Sequence, residues 1–188
     1  MSSKLYAIVG PNGSGKSSVI RSTELDIVCP FIINPDNFAR CIKDVDDETE
    51  RYLSAMRFCE KLRHMMLESN MEFGFETVGS RQDKLDFIRD AKNRGYSIVL
   101  VFVTTGDPEI CISRIAQRVA AGGHGVPDDK VRSRYVRTMS MLPQYLDLAD
   151  EAILCDNGGD SPRVVAVKRN GVVSMSDNVP GWIRDSQL

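Results

Sequence analysis

The sequence predicts an α/β fold in three layers: a mostly parallel five-stranded sheet with helices on both faces, and a β-hairpin near the C-terminus. Three observations lead there. The stretch Gly10 to Ser17 reads GPNGSGKS and stands between a short apolar run and a segment able to open a helix. Short apolar runs then alternate with helical periodicities as far as about residue 155, the pattern of repeated βαβ units. Finally, Asn170-Gly171 sits between two β-like stretches within Arg163 to Met175, a turn that suits a hairpin.

The elements follow in order. Leu5 to Val9 is the first strand, and a helix runs from Ser17 to about Leu25. Phe31 to Ile33 is a second buried strand, stopped by the turn Asn34-Pro35-Asp36. Tyr52, Met56, Cys59, Leu62 and Met66 recur at three- and four-residue spacings, so Glu48 to Ser69 is a long amphipathic helix. Met71 to Phe75 is the third strand, ending in Glu76-Thr77, and Ser80 and Asp83 have capping-box spacing before the next helix, which stops at Gly95. Tyr96 to Val103 is the most apolar run and reads as the centre of the sheet. Asp107-Pro108 caps a helix whose buried stripe is Cys111, Ile112, Ile115 and Val119. After Gly122-Gly123-His124-Gly125-Val126-Pro127 comes a helix with Val131, Tyr135, Met139 and Leu142 on one face. Ala152 to Leu154 is the fifth strand, the hairpin spans about 162–176, and Trp182 is expected to dock the tail.

The 188 residues suit a single domain with one sizeable core. A net charge of −2 gives no overall field to attract nucleic acid or an anionic membrane. Five scattered cysteines with no C-x-x-C pair argue against a disulfide framework and a zinc site. With no signal-like apolar stretch at the N-terminus, the expected location is the cytoplasm.

The chemistry centres on the glycine-rich loop. Gly10, Gly13 and Gly15 let the backbone turn and approach a ligand with no Cβ in the way. Pro11, Asn12, Ser14 and Ser18 complete the loop and the first helical turn, whose N–H groups favour an anion. Lys16 supplies a positive charge for the outer phosphates of ATP, and Ser17 a hydroxyl for Mg²⁺. This is the P-loop of a nucleoside-triphosphate-binding fold.

Ligands of such sheets lie off the carboxyl ends of the strands. Asp36, past the second strand, is the first choice for the group that accepts a proton from an attacking hydroxyl; the competing role is a local cap in its Asn-Pro-Asp turn. Glu76 and Thr77, past the third strand, are placed to orient Mg²⁺ or to hold acceptor hydroxyls, with capping as the alternative for Glu76. Arg118, bordering the apolar stripe with Arg114 further out, and Arg132 and Arg134 lie on two helices joined by the Gly122 to Pro127 connection. Over about 118–137 they read as a lid that brings positive charge to a transferring phosphoryl group, the alternative being two solvated helix faces. An ABC-type ATPase needs a Leu-Ser-Gly-Gly-like signature and a strand ending in Asp-Glu, and neither is present.

GPNGSGKS, Asn-Pro-Asp, Phe-Glu-Thr, Arg-Val-x-x-Gly-Gly-His-x-Val-Pro and Arg-x-Arg-Tyr-x-Arg occur in that order over roughly residues 4 to 157. Together they resemble the zeta-toxin-like P-loop kinases. The resemblance implies that Lys16 and Ser17 bind ATP–Mg²⁺, that Asp36 is the base, that Glu76 assists, and that Arg118 with Arg132 or Arg134 contacts the phosphates. It also implies phosphoryl transfer to a hydroxyl of a small molecule or nucleotide sugar, and an antitoxin protein as partner. The chain departs from the family pattern at Pro35 and at Val78-Gly79. Two other activities fit a P-loop without an identified acceptor: an NTP-dependent hydrolase or switch, and a polynucleotide kinase.

Overall fold

The computed structural model describes residues 2–21, 29 and 31–184. Its strands are β1 (Lys4–Val9), β2 (Ile32–Ile33), β3 (Phe73–Thr77), β4 (Ser97–Thr104), β5 (Glu151–Asp156), β6 (Arg163–Arg169) and β7 (Val172–Met175). The helices are α1 (Lys16–Arg21), α2 (Pro35–Ala39), α3 (Glu48–Glu68), α4 (Gln82–Asn93), α5 (Pro108–Ala120), α6 (Asp128–Leu148) and α7 (Gly181–Arg184). Residues 22–25, the rest of the expected first helix, lie outside the described residues.

One sheet runs in the order β2-β3-β1-β4-β5-β6-β7. The first five strands in this order are parallel, as expected, and β4 is central. The hairpin is part of the same sheet, because β6 pairs antiparallel with β5, so the sheet has seven strands. Asn170 and Gly171, at φ 51° and 76°, make the hairpin turn with the positive φ at both positions that a type I′ turn requires.

Alternation along the strands builds a core on each face. Leu5, Ala7 and Val9 join Phe73, Phe75, Leu100 and Phe102 under α3, α4 and α6, while Tyr6, Ile8, Val99, Val101 and Val103 pack with Val19 of α1. Cys111 and Ile115 of α5 pack on Val131 and Tyr135 of α6. Val9 is level with Thr77 and Phe102, and Thr104 with Asp156, so the loops leaving β1, β3, β4 and β5 emerge side by side.

Local structure differs from expectation in several places. Met71 is exposed and lies outside β3, and Val119 is exposed, the buried residues of α5 being Cys111 and Ile115. Asn34 caps a short helix rather than closing a turn, its Oδ1 accepting from the Asp36 N–H at 2.9 Å, with Pro35 at the first helical position. Ser80 and Asp83 form no capping box: Arg81 is the N-cap, and the Asp83 carboxylate is taken by Lys84 at 2.8 Å and Arg81 at 3.4 Å. The buried stripe of α3 is Ala55, Cys59, Arg63, Met66 and Leu67, leaving Met56 exposed, because this is the face that meets Phe75 and Phe87. Phe31 is exposed and lies outside β2. Trp182 docks as expected, its ring 6.3 Å from that of Phe102 and its Nε1 donating to Asp156 at 3.2 Å. Among the described residues no helix is long and apolar enough to cross a membrane.

Candidate functional site

The loop from Gly10 to Gly15 joins β1 directly to α1 and lies against the ends of three other strands. The Gly10 N–H donates to the Thr77 carbonyl at 3.2 Å. Gly13 and Gly15 have φ of 78° and 84°, and a Cβ on Gly15 would overlap Asn157 Nδ2, so conformation and space both demand glycine there. Asn157, just past β5, donates from Nδ2 to the Ser14 carbonyl at 2.8 Å and from its backbone to the Thr104 carbonyl at 2.7 Å. It thereby ties the loop to the sheet. Sequence reasoning passed it over as a strand end; its place at the end of a parallel strand was the available signal.

Lys16 folds back over its own loop. Its Nζ donates to the Gly10 carbonyl at 2.7 Å and the Pro11 carbonyl at 2.9 Å. Burial of this ammonium pushes its pKa down to about 8, against the pull of Glu76, Cys111 and Asp36, and Arg118 lowers it further. The Ser14 hydroxyl is buried with no hydrogen-bond partner among the described residues. A desolvated cation, an unpaired buried hydroxyl and positive-φ glycines in one turn are donors suited to a phosphate chain.

Glu76 leaves β3 beside this loop. Ser17 Oγ donates to its carboxylate at 2.8 and 3.1 Å. Thr77 is used structurally: its Oγ1 accepts from the Gly79 N–H at 3.2 Å and its carbonyl from Gly10. The Ser18 N–H donates to the Gly15 carbonyl within the first turn of α1. Asp36 is exposed near the start of α2, and its carboxylate makes no hydrogen bond or ion pair with any described residue. Its charge is felt at both Lys16 and Tyr52.

The arginines divide. Arg134 of α6 reaches the loop, its Nη1 donating to Asn12 Oδ1 at 3.2 Å. Arg132 is held in a bidentate pair with Glu109 of α5 at 2.7 and 2.8 Å, so its fork is engaged between the helices instead of on the loop. Arg118 is exposed, with its charge acting on Lys16. Arg114, expected to lie further out, is half-buried: its Nη1 lies 4.0 Å from the Cβ position of Gly15 and its Nη2 donates to the Gly159 carbonyl at 3.4 Å. The backbone of Cys111 backs onto Gly13, which sets this part of α5 against the loop and reverses the expected order of the two.

Tyr52 of α3 also belongs here. Burial raises the pKa of its hydroxyl, Asp36 raises it further, and Arg134 and Arg118 oppose them. Its ring stacks on His124 of the α5–α6 connection at 5.5 Å and 16°. His124 Nδ1 stands 3.6 Å from Glu48 Oε1. Helical spacing had counted Tyr52 only as part of an apolar stripe.

Comparison with known proteins places this geometry in a wider set. A family model described as Zeta toxin matches residues 2–179. An uncharacterized protein of Haemophilus influenzae is 30% identical over 135 residues, covering 72% of this chain and 94% of that protein. Among solved structures, a complex of AvrRxo1-ORF1 and ORF2 with ATP superposes with a TM-score of 0.74 at 17% identity, covering 94% of this chain and 61% of that one. A structure from the PezAT chromosomal toxin–antitoxin system of Streptococcus pneumoniae gives 0.57 at 16% identity, covering 86% and 72%. The chain thus spans about three fifths of the AvrRxo1 complex chain it matches.

Proposed function

This chain belongs to the zeta toxin family of P-loop phosphotransferases, and from that premise we propose that it moves the γ-phosphoryl group of ATP to a hydroxyl of a small molecule or nucleotide sugar. The observation that carries the proposal is the Asp36 carboxylate, unpaired among the described residues and near enough for its charge to act on the buried Lys16 ammonium, with the Ser17–Glu76 pair beside the same loop. In this reading the loop amides, the Ser14 hydroxyl and Lys16 hold the phosphate chain. Ser17 and Glu76 offer the hard oxygen donors that suit Mg²⁺, which takes few protein ligands and completes its shell with water and phosphate oxygens. When bound there, Mg²⁺ neutralises charge on the outer phosphates. Asp36 aligns the acceptor hydroxyl and takes its proton. Arg134, steadied by Asn12, and Arg118 counter the charge that builds on the transferring oxygens. Family membership also implies an antitoxin protein as partner, and the unpaired cysteines fit a reducing cytoplasm.

The test is γ-labelled ATP incubated with a panel of nucleotide sugars and hydroxylated metabolites. One acceptor should become labelled, and Asp36→Asn should lower transfer by about 10²- to 10⁴-fold with ATP binding kept. Full transfer by that variant would remove Asp36 as the base. ATP turnover that ignores every acceptor would favour the hydrolase or switch instead.

A further inference from the structure

Away from the phosphate loop, α3 and α4 enclose a groove of about 330 Å³ whose floor is Arg63. Arg63 is only 7% exposed, on the face of α3 where an apolar residue would be expected. Its guanidinium lies over the rings of Phe75 and Phe87, 5.5 and 5.8 Å from their centroids. Among the described residues it makes no hydrogen bond and no ion pair, although burial of a guanidinium ordinarily demands both.

The surrounding carboxylates favour its charge from a distance, Glu60 and Asp83 foremost, but none of them touches it. Asp83 is bound by Lys84 and Arg81, Asp86 by Arg89 at 2.7 Å, and Asp90 by Arg94 at 3.0 Å. Glu60 also lines the groove and pulls on Arg63 electrostatically, without coming into contact. Every acid that α4 contributes to the groove therefore has a basic neighbour in contact, and the deepest cation has no described acid in contact.

We propose that this groove is a binding site for a small organic monocarboxylate, whose two oxygens take the Arg63 fork and whose apolar part lies against Phe87. A planar two-oxygen anion matches two parallel N–H groups. The ring of Phe87, with His64 edge-on to it at 5.3 Å, gives the groove an apolar wall. A doubly charged phosphate suits the groove less, since Glu60 repels each added negative charge. The site does not depend on the phosphoryl-transfer reading, and none of the groove's lining residues belongs to the glycine loop.

The probe is benzoate, titrated into the full chain at low salt and followed by the Arg63 side-chain N–H and the backbone amides of α3 and α4, with inorganic phosphate as comparator. A saturable response is expected. Arg63→Lys, which keeps the charge but loses the fork, should weaken binding about fivefold or more. Glu60→Gln, at an exposed position, should tighten it about twofold, the worth of one partly screened charge. ATP binding should be unchanged in both variants. No saturation by about 50 mM benzoate, a response that neither variant alters, or tighter binding of phosphate than of benzoate would each overturn the assignment.

Discussion

Replacing Lys16 by Met should stabilise the nucleotide-free protein while abolishing its grip on ATP. The ammonium is buried with no carboxylate in ion-pair contact among the described residues, and its pKa falls from 10.5 to about 8. At about 1.4 kcal/mol per pH unit, keeping it charged costs the fold about 3 kcal/mol at neutral pH. Its two hydrogen bonds, to the Gly10 and Pro11 carbonyls, return about 1 kcal/mol each. The variant should therefore gain about 1 kcal/mol, or about 2–4 °C in Tm for a chain of this size. The sign with pH follows from linkage. Below about pH 8 the lysine is charged in both the folded and unfolded chains and the full penalty applies. Above that the folded chain releases its proton first, so the wild type recovers stability and the advantage of Met fades towards pH 10.5. Urea unfolding of both proteins at pH 7 and pH 10 measures this, with ATP affinity by calorimetry alongside. A Met variant that is less stable at pH 7, with a deficit independent of pH, would refute the desolvated ammonium.

Two further outcomes follow from the same geometry. Arg134→Ala should lower the transfer rate about tenfold more than Arg132→Ala, since Arg134 is bonded to Asn12 of the loop and Arg132 to Glu109; steady-state rates with saturating ATP decide it. Asn157→Ala strands the buried Ser14 carbonyl and should cost about 1–2 kcal/mol, read by thermal unfolding, together with a loss of ATP affinity as the loop loosens.

Much of the architecture was legible because it is written in local patterns. The glycine loop declares itself by residue type, and Ile98 to Val103 by an apolar run that only a strand covered on both faces tolerates. The tertiary contacts were less legible. Arg63 breaks the hydropathy of its own stripe, and only the rings of Phe75 and Phe87, brought in from β3 and α4, explain a charge at that position. Arg132 and Arg134 are neighbours in sequence, but about 200° of helical rotation separates them, so one meets α5 and the other the loop. Tyr52 fitted an apolar period, and its partner His124 comes from a connection more than seventy residues away.

The same contacts limit what can move over the site. The lid expected over 118–137 includes residues that are anchored: Val131 and Tyr135 are buried against Cys111 and Ile115, the Thr104 and Tyr135 hydroxyls bond at 3.2 Å, and Thr138 Oγ1 donates to the Val78 carbonyl at 2.9 Å. Swinging α6 as a body would break all of these, each hydrogen bond at about 1 kcal/mol and the apolar cluster at more. The connection from Gly122 to Pro127 costs less to move, being almost wholly exposed: its Gly122 and Gly123 N–H groups bond the end of α5, Val126 packs on the edge of the cluster, and His124 is held by one ring stack and a surface carboxylate. Closure is thus expected to be a movement of 121–127 against Tyr52 and Asp36, with α6 fixed. Hydrogen exchange should find the amides of 124–126 open within seconds and slowed about tenfold or more by ATP, while 131–146 exchange only with global unfolding. Exchange of 131–146 at the same rate as the connection would mean that the whole helix swings, and that Arg134 leaves Asn12 on every opening.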